Sequence, residues 1–222
     1  MAAFSSNGLL RSLARGYVEL IRNIPLLVQL VFWYFVVFLS LPNGEAAIQL
    51  PGVVLAKSGL YLAGLAHGLQ WSGPQLVNGV WQAPLRVTVE FGALLTGLVI
   101  YSGAFIAEVF RGGIAAIPKG QWEAAASLGI GWFSTFRLIV LPQALRGIVP
   151  GLNTQYISLA KNSSLAVAVG YTDLYSVAET TLNQTGRAVE VYLVLLAAYL
   201  SLDLLISVIM NSVNRLVQIR ER

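Results

Sequence analysis

The chain has 222 residues, of which 56% are apolar and 11% charged, with a formal net charge of +4, one histidine and no cysteine. So apolar a composition excludes an ordinary soluble domain and predicts a single all-α polytopic membrane domain over 1–222. The missing cysteines exclude disulfide and thiolate chemistry, a lone His67 leaves too little for a metal site, and basic residues scattered at segment ends set nucleic acid aside as a partner.

In chain order, residues 1–23 form a basic cytoplasmic lead-in. No charge falls between Arg22 and Glu45, and IPLLVQLVFWYFVVFLSL at 24–41 is predicted as a membrane span. An external loop follows over 42–84. Within it, residues 53–71 compete as a span, but Lys57, His67 and several glycines make a poor lipid helix, so this stretch is expected as a helical or surface-lying piece of the loop. The next span, 85–109, is interrupted only by Glu90; Gly112 and Gly113, just beyond it, read as a helix end. A weaker one, 148–170, carries Pro150, Gly151 and Lys161 and predicts a broken or polar-faced helix covered by protein. The last, 191–210, is continuous apart from Asp203. With these spans, ten of the fourteen basic residues fall on one side, which the positive-inside rule makes cytoplasmic.

A different element separates the middle spans: QWEAAASLGIGWFSTFRLIVLPQALRG at 121–147. Gln121 to Leu128 is a strong helix former with little side-chain bulk at Ala124, Ala125 and Ala126, and Gly129 is placed as its left-handed stop. A second helical piece, 132–141, is expected to end at Pro142. The pair predicts a helix, sharp turn, helix knob on the cytoplasmic side, in which small residues permit close approach to a partner and Glu123 offers a fixed charge. A packed hairpin without a partner reads equally well from these residues alone.

Glu123, Ala124, Ala125, Gly129, Ile139, Leu141 and Pro142 fill every position of the signature loop that this stretch resembles, that of ABC-importer permeases. The resemblance implies a type-1 ABC transmembrane domain of the MetI-like kind, whose 121–142 loop docks into cytoplasmic ATPase subunits. YVELIRNIPLLVQLVFWY, AEVFRGGIAAIPKGQWEAA and KNSSLAVAVGYTDL are similar to polar and general L-amino-acid permeases. The family further implies a second permease subunit, identical or not, an external amino-acid-binding protein, an L-amino acid as cargo, and a multi-pass place in the bacterial inner membrane. Such permeases usually open with another span. The sixteen residues before Tyr17 are neither a signal peptide nor long enough to cross, so about four spans are expected, with the usual first one missing.

For the cargo, an intramembrane ionisable group is the first suspect. Lys161 with Asn162, Ser163 and Ser164 supplies charge and hydroxyl donors for a carboxylate, and Glu90 and Gln155 are further candidates. The alternative is an ion pair of Lys161 with Glu90 or Asp203 that only holds helices together. No Gly-x-x-x-x-Gly-Lys loop is present, so ATP is hydrolysed by another chain, and no cofactor is expected. A permease for another small solute, a membrane-embedded lipid-modifying enzyme, or a purely structural assembly subunit are the competing functions; the enzyme would need Asp173, Glu179 and Glu190 to converge.

Overall fold

The structure is a computed structural model that describes residues 7–65 and 70–217. His67, and Arg220 and Arg222 of the basic set, lie outside the described residues. The chain is mainly helical: α1 Gly8–Asn23, α2 Leu26–Phe38, α3 Val89–Ala115, α4 Lys119–Ser127, α5 Trp132–Thr135, α6 Leu141–Asn162, α7 Leu174–Thr185 and α8 Ala188–Val217. It divides into two compact units, one holding residues 1–23, 100–162 and 187–222, the other 24–99 and 163–186.

In the first unit, Asn7 starts α1 by accepting hydrogen bonds from the backbone N–H groups of Leu9 and Leu10. Tyr17 ties this helix to α3, donating its hydroxyl to the Ile100 carbonyl at 2.7 Å. Near the other end of α1, Arg22 lies over the Phe105 ring and 3.9 Å from Glu108, which also accepts from the Nε and Nη2 of Arg111. Gly112 and Gly113 do not end α3, which runs on to Ala115. A β-carbon at Gly113 would run into Ile148 of α6, and one at Gly151 would come within 2.7 Å of Val109. Each helix thus offers a glycine to a β-branched side chain of the other, the close approach that small residues permit between membrane helices. Helices α6 and α8 also pack together, with Ala144, Ile148, Val149 and Leu195 among the buried residues of this unit.

The second unit adds a small β-structure to this mainly helical fold. Among the described residues, 48–87 hold eight short strands: β1 Ile48–Leu50, β2 Val53–Ala56, β3 Gly59–Leu62, β4 Gly64–Leu65, β5 Trp71–Ser72, β6 Gln75–Val77, β7 Val80–Gln82 and β8 Leu85–Val87. The first three and β8 make an antiparallel sheet in the order β1-β2-β3-β8. The described part of 53–71, expected as a helical or surface-lying piece, is thus largely strand, and 85–87 is strand rather than the start of a span. Turn chemistry explains the difference. Leu50 pairs with Val53 across Pro51-Gly52, with Gly52 at φ 77°, and Val77 pairs with Val80 across Asn78-Gly79, both at positive φ; Asn-Gly is the dipeptide that two-residue hairpins favour, and Pro-Gly is the pattern of a type II turn. Tyr61, Val54, Ala56 and Trp81 form the small core of this subdomain, with the Trp81 indole donating to the Gly44 carbonyl.

Pro25 precedes the first residue of α2, and the helix turns π-helical over Phe32–Phe38. Thirteen residues rise only about 20 Å, short of a bilayer. Leu30 of α2 packs against Gly97 of α3, and Phe38 against Gly92. Helices α3 and α8 are each long and apolar enough to cross a membrane, and the broken pair Gly8–Asn23 and Leu26–Phe38 makes a third if counted as one. Helix α6 has the length, but Pro150 and its polar side chains lower its apolarity.

Candidate functional site

The element at 119–142 folds as a knob. Helix α4 stops at Leu128 because Gly129 takes φ 75°. The N–H of Gly129 then bonds the Ala126 carbonyl at 2.9 Å and the N–H of Ile130 bonds the Ala125 carbonyl at 3.0 Å. This is a complete Schellman stop, the αL closure that only glycine makes without strain. Ala125 is buried in the turn, whereas Glu123 and Ala124 stand exposed on the helix that leads into it. Thr135, also buried, satisfies its hydroxyl by donating to the carbonyls of Ile130 and Gly131.

Pro142 does not end the second piece. Helix α5 passes into a π turn over Phe136–Val140, where the N–H of Leu141 reaches back five residues to the Phe136 carbonyl, and then into α6 with Leu141 and Pro142 as its opening residues. A proline clashes with the carbonyl four residues before it and lacks an N–H to bond it. The wider π turn ahead of Pro142 relieves both demands. Ile139 sits half-buried in that turn. The knob is thus a rigid extension of α6, braced by Gln143 donating to the Gln121 side chain at 3.2 Å.

Three aromatic rings lock it further. Trp122 stacks on Trp132 with centroids 6.4 Å apart, and Trp132 on Phe136 at 5.8 Å and 8° between planes. The spacing of Trp132 and Phe136, four residues on one helical face, was open to sequence reasoning; the partnership with Trp122 across the Gly129 turn was not. Around the ladder the knob leaves a bare apolar surface of Leu128, Trp132, Phe133 and Leu138, with Leu128 78% exposed. Glu123 on one side of such a patch is the composition of a docking surface.

The polar residues singled out in the sequence are divided between the two units. In the first unit, Lys161 at the end of α6 pairs with Asp203 of α8 at 3.3 Å, its own side chain 60% exposed and that of Asp203 17%. The other oxygen of Asp203 accepts no hydrogen bond. Asn162 closes α6, where Gln155 lies half-buried. In the second unit, Ser163 and Ser164 open a 3-10 turn, Ser163–Val169, and Glu90 accepts from the Tyr34 hydroxyl at 3.4 Å. Of the two ion pairs open to Lys161 in the sequence, the structure makes the one with Asp203. Asp173 has a plain structural role: it caps α7, accepting from the Ser176 N–H and hydroxyl at 3.0 Å each, and Gly186 at φ 67° closes the same helix.

Comparison with known proteins yields a family and a fold. The family profile described as binding-protein-dependent transport system inner membrane component matches residues 1–220. The chain is 36% identical to the general L-amino acid transport system permease protein AapQ of Rhizobium johnstonii, over 98% of this chain and 70% of the relative. Its structure is similar to a crystal structure of an amino acid ABC transporter with histidines, at TM-score 0.68 and 27% identity, covering 96% of this chain and 79% of that one. It also superposes on an inward-facing form of the MetNI methionine ABC transporter at TM-score 0.63 and 20% identity, covering 97% and 79%, a likeness of fold.

Proposed function

The chain belongs to the binding-protein-dependent transport system inner membrane component family, and from that premise we propose that it carries polar L-amino acids through the bacterial inner membrane as the permease subunit of an ATP-driven importer. A permease of this family is an integral membrane protein and not itself an enzyme; its family implies an ATPase and a substrate-binding protein as partners. The observation that carries the reading is the knob. Signature residues Glu123 to Pro142 fold into a helix, Schellman turn and helix whose bare apolar tip and adjacent carboxylate offer an ATPase groove both shape and charge. Because α4, α5 and α6 are joined through stacked rings and an unbroken helical path, a displacement of the tip passes directly to α6 and to Lys161 at its far end.

Lys161 and Asp203 suit the cargo. A zwitterionic amino acid carries one charge of each sign, so its carboxylate can take Lys161 and its ammonium Asp203, replacing one ion pair by two. Asn162 and Gln155 of the same unit offer it further polar groups, Ser163, Ser164 and Glu90 of the other unit are further candidate contacts, and binding to different faces in two states of the importer gives alternating access. The second permease subunit and the external binding protein complete this assembly. The test is purification of the chain with its ATPase and reconstitution in vesicles: amino-acid uptake should require ATP inside and binding protein outside. ATPase retention without uptake of any amino acid would leave an assembly subunit, and neither would leave an unrelated membrane protein.

A further inference from the structure

Helix α1 carries three distinct faces. Leu9, Leu13 and Leu20 fall within about 40° of one another at 100° per residue, and all three are bare, Leu13 at 70% exposure. Arg11, Arg15 and Arg22 repeat the same spacing two residues later, which places them on the opposite side of the helix. The edge that meets the protein runs from beside the leucine stripe into the arginine stripe: Arg11, Ala14, Val18 and Ile21 are half-buried, Tyr17 and Arg22 reach α3, and Arg15 stays exposed. A leucine stripe opposite an arginine stripe on one helix is the pattern of a helix lying in the plane of a membrane interface, apolar side toward the acyl chains and cationic side toward headgroups. The charge fits the surface, since the cytoplasmic leaflet is negative and attracts basic segments within a Debye length.

We propose that α1 is an interfacial anchor: it floats at the cytoplasmic surface with Leu9, Leu13 and Leu20 among the acyl chains and the exposed Arg15 at anionic phosphate headgroups, while Tyr17 and Arg22 moor it to α3. The anchor fixes the depth of the cytoplasmic end of α3, from which the knob is suspended.

The chain has no cysteine, so nitroxide labels can be placed singly. Leu9→Cys, Leu13→Cys, Leu20→Cys, Ser12→Cys and Arg15→Cys would each be labelled in the full chain. Each would be reconstituted in vesicles of phosphatidylethanolamine with phosphatidylglycerol, and again in phosphatidylcholine alone. Collision with oxygen relative to a water-soluble nickel chelate should be several-fold higher at positions 9, 13 and 20 than at 12 and 15 in the anionic vesicles, and should fall at the leucine positions in phosphatidylcholine. The helical alternation over five sites reports in the same data that the segment is folded. Equal nickel access on both stripes overturns the proposal. So do labels at 13 and 20 that are immobilised and shielded from both reagents, which would mean that a protein partner covers the stripe. Depth that ignores lipid charge would overturn the part of the proposal that rests on Arg15. None of these outcomes depends on uptake, so they stand apart from the transport reading.

Discussion

At the scale of single residues, Glu123 and Lys161 ask different questions of the same assay. Glu123 is exposed beside the apolar tip of the knob and has no fold to support. Glu123→Lys should therefore leave the amount of protein in the membrane unchanged while uptake falls to background, read by immunoblot and radiolabelled amino acid. Lys161 is paired with Asp203, so its removal leaves that acid unpaired; if it also holds the cargo carboxylate, as proposed, the lost charged hydrogen bond costs about 1.5 to 3 kcal/mol, roughly ten- to a hundredfold in affinity. Lys161→Met should lower uptake of every amino acid whatever its side chain, and the double variant Lys161→Met with Asp203→Asn should regain thermal stability but not transport. Full uptake in the double variant would reduce the pair to a clasp between α6 and α8.

At the scale of elements, glycine positions divide by mechanism. Gly129 needs its left-handed backbone, and forcing a side chain into that region costs about 1 to 2 kcal/mol; Gly129→Val should unwind the stop and lose ATPase retention in pull-down. Gly151 needs closeness instead, and Gly151→Val drives a side chain into Val109, an overpacking worth about 1 to 3 kcal/mol, visible as a lower melting temperature of the purified protein with the knob intact. Trp132→Ala removes the middle ring of the ladder, about 0.5 to 1.5 kcal/mol per stacked pair, and should weaken ATPase retention less than Gly129→Val does. Much of the knob was legible in the sequence, because helix propensity, the alanine run and Gly129 act locally. The sheet was not, although Pro51-Gly52 and Asn78-Gly79 announce turns: read for apolarity, residues 53–71 look like a helical or surface-lying piece, while both turn dipeptides lie outside that window. Pro142 misled for the opposite reason, since its usual effect is cancelled by the π turn placed just before it.

For the whole molecule, sidedness is the property that joins these parts. If the knob is cytoplasmic and the sheet external, Ser127→Cys should react with a membrane-impermeant thiol reagent only after the cells are opened, and Gln49→Cys on β1 should react from outside in intact cells. Labelling of both positions from one side would break the assignment. The π turn at Phe136–Val140 then acquires a further meaning. It holds one residue more than the α ladder requires, and a residue on a helix is worth about 100° of azimuth. That extra residue is a phase setting: it fixes the compass bearing at which α6 presents Glu123 and the Leu128–Phe133 surface. Deleting Arg137 would let the turn close as ordinary α-helix and swing the knob through about a quarter of a circle, with every contacting side chain still present and aimed at the wrong quarter.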